Sequence, residues 1–262
     1  MLEEHDSLRD KTTKIGQIAR TCSIFGVDTV EIFHDPRGRD ESTLIRHILE
    51  YLETPQYLRK RLFPLDDSLR FAGLLPPLRI PSHKPKVPPE RIQRGEIREG
   101  FVLPGGVTAD VGLDSPVALK QKTGGGRRVT VRITSISPFA GIVLDHPETT
   151  QYWGYAVEVR SAEEVMTDIR FGLKLATSRL GDPLRSCLPA LREDFNRSKG
   201  VMAIFGSPAR GLFEIIENLR ERTPFVVNLY PEQKVATVRT EEAMGSALYL
   251  LELLSVMENT KV

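Results

Sequence analysis

The 262-residue chain holds only two cysteines, Cys22 and Cys187, far apart and outside any CxxC pair. That excludes a disulfide framework and leaves no thiolate set for zinc. The five histidines (His5, His34, His47, His83 and His146) lack the spacing of metal ligands, so no metal is expected. No apolar run approaches the roughly 20 residues that span a bilayer. The opening MLEEHDSLRDK is too polar for a secretion signal. The expected setting is a reducing cytoplasm, with no membrane partner. Neither GxGxxG nor GxxxxGK[ST] occurs, which removes the common glycine cradles for nucleotide phosphates. A net charge of +1 gives no general affinity for polyanions.

What is present is an ordinary globular composition, 40% apolar and 27% charged, arranged in two styles. Apolar residues at helical spacing predict a helix from Leu8 to Phe25, stopped by Gly26; VDTVEIF reads as a strand and Ser42 to Leu52 as a helix. Six prolines between Leu74 and Pro89 then read as an extended linker. From Glu96 to Asp145, five short strands recur between Pro104-Gly105-Gly106, Asp114-Ser115-Pro116 and Gly124-Gly125-Gly126, which predicts a small OB-like antiparallel barrel. Gly124 to Arg128 is read as a hairpin turn within it. After Tyr155, strands alternate with helices, the pattern of a parallel sheet. The expected fold class is α/β, one parallel-sheet domain from residues 1–75 and 155–262 interrupted by a barrel at 76–154.

Three successive strands of the last part end in loops of small and polar residues with an arginine nearby: Ala176 to Pro183, Phe205 to Leu212, and Asn228 to Ala243. In open α/β sheets such strand ends hold ligands. Each loop read singly is also compatible with a plain βα turn, Thr240 capping a helix and Gly211 serving packing.

Together, TSRLGD, IFGSPARGL and NLYPEQKVATVRTEEAMGSAL resemble the signature segments of the SPOUT (α/β-knot) RNA methyltransferases. The archaeal and eukaryotic branch described as putative RNA N3-uridine methyltransferases is the most similar, since IARTCSIFGVDTVEIFHD, TPQYLRKRLFP and LPPLRIP also resemble it. The resemblance implies a C-terminal trefoil knot that binds S-adenosylmethionine, and a homodimer completing the site. By motif it implies donor contacts at Thr177, Ser178 and Arg179, then Gly206, Ser207 and Gly211, then Asn228, Leu229, Gln233, Val238 and Thr240. Leu180 stands between the arginine and glycine of the first loop, where eukaryotic relatives have none. Relatives also carry a strand ahead of the first helix that Met1-Leu2-Glu3 does not supply, so a short start is the favoured reading.

If the target is uridine N3, its proton must leave and its oxygens must be stabilised. Arg239 and Glu241 are the candidates, with Arg210 as a second cation; a helix-dipole role for Glu241 is the equal alternative. From Arg79 to Arg132 there are eleven Lys/Arg against five Asp/Glu. This local charge suggests that the barrel binds structured RNA (ribosomal or transfer RNA) through Lys120, Lys122, Arg127 and Arg128. The alternative is a non-catalytic RNA- or ribosome-associated protein on the same fold. The closing helix from Thr240 to Met257 is apolar over much of its circumference, which predicts a homodimer built on it and the first helix.

Overall fold

Ser7 starts the first helix. Its hydroxyl accepts from the Asp10 N–H at 3.2 Å while the Asp10 carboxylate accepts from the Ser7 N–H at 3.3 Å, a reciprocal cap that launches α1 (Leu8–Ile24). The computed structural model describes residues 2–3, 6–145 and 147–259. His5, His146 and Met1, the first residue of the segment bearing on an upstream strand, lie outside them.

The chain divides into two units, Met1–His47 with Ala156–Val262, and Ile48–Tyr155. In the first unit β1 (Thr29–Phe33) pairs in parallel with β7 (Ala156–Arg160). A second parallel sheet has the order β10-β8-β9, with β8 at Leu173–Pro183, β9 at Val201–Ile204 and β10 at Phe225–Asn228. Its strands are buried on both faces, as parallel sheets require. On one side Ala176, Ile204 and Val226 pack with Val165 and Met166 of α4 (Ala162–Thr167), Leu212 of α6 (Leu212–Ile215) and Leu219 of α7 (Leu219–Arg222). On the other, Leu173, Leu175, Phe225 and Val227 pack with Leu191 of α5 (Leu184–Arg197) and Leu250 and Leu254 of α8 (Thr240–Asn259). The helix expected across LFEIIENLRER is broken in two, because Asn218 adopts a left-handed φ of 51°.

The second unit holds a closed barrel in the order β2-β3-β4-β6-β5: Ile97–Val102, Thr108–Asp110, Val117–Leu119, Phe139–Leu144 and Arg128–Ile136. All pairs are antiparallel except β4 with β6. Alternate residues fill it, Val117 and Leu119 on β4 and Val129, Val131 and Ile133 on β5. Because β4 and β5 are not neighbours, Gly124 to Arg127 crosses between strands, correcting the hairpin expected there.

The proline-rich segment is extended but is no free spacer. Leu78, Ile80 and Ser82 are buried, and Arg98, closed inside the barrel, donates to the carbonyls of Val111 (2.7 Å) and Pro85 (2.5 Å). Residues 48–75 also fall with the barrel. They include the end of α2 (Ser42–Glu53) and α3 (Gln56–Leu62), which supply Glu53 and Tyr57 to a charged network. Arg128 donates from Nε to Glu99 at 2.6 Å and from both terminal nitrogens to Glu53, the Nη2 contact being 3.1 Å. Glu99 also accepts from Thr130 (2.7 Å) and the Trp153 indole (2.6 Å), and its carbonyl accepts from Tyr57 at 2.6 Å.

One guanidinium thus serves two buried carboxylates. Burial pushes the Glu53 carboxyl up to about 7, the charge of Arg128 opposing without cancelling it. Burial also draws His83, whose Nε2 lies 2.6 Å from the Glu53 carbonyl, down to about 4. The two act oppositely on stability. A raised carboxyl holds extra proton in the folded state between its ordinary 4.5 and about 7, so stability falls as pH rises through that window. A depressed imidazole lacks proton between about 4 and its ordinary 6.5, so stability rises with pH there. Relative to wild type, Glu53→Gln should therefore gain stability as pH rises from 4.5 to 7, and His83→Gln should lose it from 4 to 6.5. Each slope is bounded by about 1.4 kcal/mol per pH unit. Urea unfolding across this range checks the pair, and parallel pH profiles for the two variants would contradict the assignment.

Candidate active site

The first loop arises from an interruption of β8. Along β10, Val226 pairs with Ala176 while the next residue, Val227, pairs with Asp182. Residues 177–181 therefore leave the ladder and return to it without the strands separating. Gly181 makes the return possible: a Cβ there would sit 2.5 Å from the Val226 carbonyl oxygen and 2.8 Å from two backbone carbons of β10. Within the excursion the Thr177 hydroxyl donates to the Ile204 carbonyl at 3.2 Å, and the Ser178 hydroxyl accepts from the Leu180 N–H at 3.2 Å.

The second loop follows β9. Ser207 donates from its N–H (3.0 Å) and hydroxyl (3.2 Å) to the Arg210 carbonyl, and its hydroxyl accepts the Arg210 N–H at 3.0 Å. Gly206 is hemmed in, since a Cβ would meet the Arg210 oxygen at 3.0 Å and the Leu212 nitrogen at 3.1 Å. Gly211 is open, with nothing within 4 Å of that position.

The third loop leads from β10 into α8. Asn228 accepts from the Tyr230 N–H at 2.9 Å, and the Gln233 amide donates to the carbonyls of Val235 (2.9 Å) and Ala236 (3.2 Å). Leu229 packs on the core beneath. The backbone N–H groups from Lys234 to Val238 find no acceptor among the described residues.

Side-chain to backbone bonds join the three. Asn228 donates to the Arg179 carbonyl at 2.9 Å, Arg179 to the Ala236 carbonyl at 3.2 Å, and the Thr240 hydroxyl to the Gly206 carbonyl at 3.3 Å. Contacts spanning 34, 49 and 57 residues of sequence thus gather the loops into one cluster, lined by backbone and by small side chains. Beside it, Arg239 and Glu241 stand at the start of α8. Among the described residues neither side chain has a partner, although the Arg239 N–H is held by Glu242 at 2.9 Å.

Two expected cations are otherwise engaged. Arg210 donates to Asp35 of the loop after β1, a residue not among the expected site residues although that loop too leaves the carboxyl end of a strand. Arg128 is turned into the Glu53–Glu99 network and away from its neighbour Arg127. Lys120, Lys122 and Arg127 are exposed and carry no ion pair among the described residues. Among those residues there is also no cluster of metal-ligating side chains, and no helix long and apolar enough to cross a membrane.

Residues 1–251 match a family described as putative RNA methyltransferase. The chain belongs to that family. An uncharacterised protein of Halobacterium salinarum is 32% identical across 97% of this chain and 96% of its own length. The 28S rRNA (uridine-N(3))-methyltransferase of Homo sapiens is 33% identical, covering 96% of this chain and 75% of that protein, and its Mus musculus counterpart is 32% identical over 96% and 74%. The RNA methyltransferase must bring a methyl donor to its RNA.

Gly181→Ala provides a local test of the loop cluster in the methyltransferase. A methyl group forced against the β10 backbone should cost about 1–3 kcal/mol of stability. Chemical denaturation measures it, and a loss below about 0.5 kcal/mol, the usual scale for surface substitutions, would contradict the packing described.

Proposed function

We propose that this enzyme methylates N3 of a uridine in structured RNA, ribosomal RNA by likeness to the human relative, using S-adenosylmethionine held in a C-terminal trefoil knot. The observation that carries the reading is the bonding among the three loops, with the open position over Gly211 and the unused N–H groups of Lys234 to Val238. These features fit an adenosyl ligand recognised largely through backbone groups. Thr177, Ser178, Gly206, Ser207, Gly211, Asn228, Leu229, Gln233, Val238 and Thr240 line or support that site, and Arg179 ties its first wall to its third. A chain that passes from β10 to α8 while bonded to both other loops also supports the knot.

The donor supplies an electrophilic methyl group. The enzyme's own residues supply position and proton handling. Glu241 takes the N3 proton of uridine, leaving the ring nitrogen with the lone pair that attacks. Arg239, unpaired and beside it, stabilises the negative charge delocalised onto the ring oxygens. The barrel's strand order, with its single parallel pair, supports an OB-like fold, and Lys120, Lys122 and Arg127 contact the RNA backbone.

The experiment is calorimetry with S-adenosylhomocysteine joined to radiolabel transfer onto ribosomal RNA. Wild type should bind in the micromolar range and label the RNA. Gly206→Val, which crowds the second loop, should abolish both while the protein keeps its far-ultraviolet circular dichroism. Absence of binding by well-folded wild type would favour the non-catalytic RNA-binding alternative.

Assembly as a homodimer belongs to the same proposal. Leu250 and Leu254 of α8 pack into the unit's own core, so they are unsuited to facing a partner. Tyr249, Leu253 and Val256 form a separate stripe at helical spacing and are 61%, 43% and 54% exposed. A second copy joined along α8 and α1 would cover them. Leu253→Glu with Val256→Glu should give a folded monomer in sedimentation, while a wild type sedimenting as a stable monomer would rule the dimer out.

A further inference from the structure

The loop after β1, His34 to Glu41, lies outside the three donor-loop segments, yet two reciprocal arginine contacts tie it to the second loop of the candidate site and to α6, which follows that loop. Arg210 donates to one oxygen of Asp35 from Nε at 2.8 Å, its Nη2 forms an ion pair with the same oxygen at 2.7 Å, and the two side chains are only 18% and 13% exposed. In the other direction, Arg37 donates to the Glu214 carbonyl at 2.6 Å. Asp35 itself stands on a rigid turn: its second oxygen accepts from the Arg37 N–H at 3.1 Å, and its carbonyl accepts from the Gly38 N–H at 2.9 Å. The far end of the loop is fixed by Glu41, paired with the buried Lys11 at 2.6 Å.

From Arg210 the bonding runs into the site. Its backbone locks Ser207 through the three bonds described above, next to Gly206, whose carbonyl accepts the Thr240 hydroxyl. A continuous path therefore joins Asp35, Arg210, the Ser207–Gly206 turn and the start of α8. An arginine committed to charge on a substrate would leave its donor edge free, whereas here Nε is bonded to Asp35 and Nη2 lies in ion-pair contact with the same oxygen. Cutting such a shielded pair leaves a charge without compensation and releases whatever it held.

We propose that Asp35 is a positioning residue of this methyltransferase, fixing through Arg210 the Gly206–Gly211 turn that receives the methyl donor. The proposal rests on the reading of the three loops as the donor site, and it moves Arg210 from the catalytic group to the support of that site. It also gives the N-terminal segment, separated from the signature loops by the whole barrel, a part in the reaction.

The test compares wild type, Asp35→Ala, Asp35→Asn, Arg210→Ala, the Asp35→Ala/Arg210→Ala double variant, and the Asp35→Arg/Arg210→Asp exchange. The full-length protein is titrated with S-adenosylhomocysteine and assayed for methyl transfer. Each single variant should raise the Kd, and the KM for donor, by about tenfold or more, while kcat at saturating donor and RNA falls by no more than about threefold. The double variant should be no worse than the weaker single, and the exchange should recover part of the affinity. Asp35→Asn preserves shape and decides the matter if Asp35→Ala does not fold. Wild-type affinity in folded Asp35→Asn, a fall in kcat with KM unchanged, or failure of Asp35→Asn itself to fold would each overturn the proposal. Absence of binding by wild type would instead remove the donor-site reading beneath it.

Discussion

The site depends on a strand that is interrupted without being released. β8 pairs with β10 before and after residues 177–181, and the return is possible only because Gly181 lets two backbones approach where no Cβ fits. Were β8 to end at Ala176, the first loop would be an untethered connection and its polar groups would be free to face water. Held at both ends, it presents the Arg179 carbonyl to Asn228 and the Arg179 side chain to Ala236. The sheet's double burial fixes β8 and β10 in turn, so the core on both faces sets the precision of the loops above it.

Arginine takes two roles in this protein, and local sequence does not separate them. Arg127 and Arg128 are adjacent, yet one is exposed while the other joins Glu53 and Glu99, 75 and 29 residues away. Arg210 is held by Asp35 at a separation of 175 residues, while Arg239 has no side-chain partner among the described residues. A count of cations along the barrel therefore overstates the charge available to RNA. The planar guanidinium suits both tasks, since its forked donors satisfy buried carboxylates as well as phosphates.

Local signals carried the elements whose causes are local. The α1 helix, the alternation of β5 and the three loops at strand ends stood in the sequence because their spacing signals sit within a few residues. What escaped depended on distant partners or on a single backbone angle. The left-handed Asn218 divides a helix that periodicity reads as continuous. Residues 48–75 look like an extension of the first helices until Glu53 and Tyr57 meet Arg128 and Glu99. The role of the β1 loop was hidden for the same reason, since nothing in HDPRGRDE announces an arginine so far along the chain.

The proposed activity is methylation of a uridine in RNA at the three joined loops. Its most direct measurement is mass spectrometry of nucleosides from ribosomal RNA of cells lacking the gene, and of the same cells carrying either wild type or the Gly206→Val variant. The account predicts that 3-methyluridine is lost at one position on deletion, returns with wild type and does not return with the variant. An unchanged 3-methyluridine content on deletion, or full restoration by the variant, would contradict it.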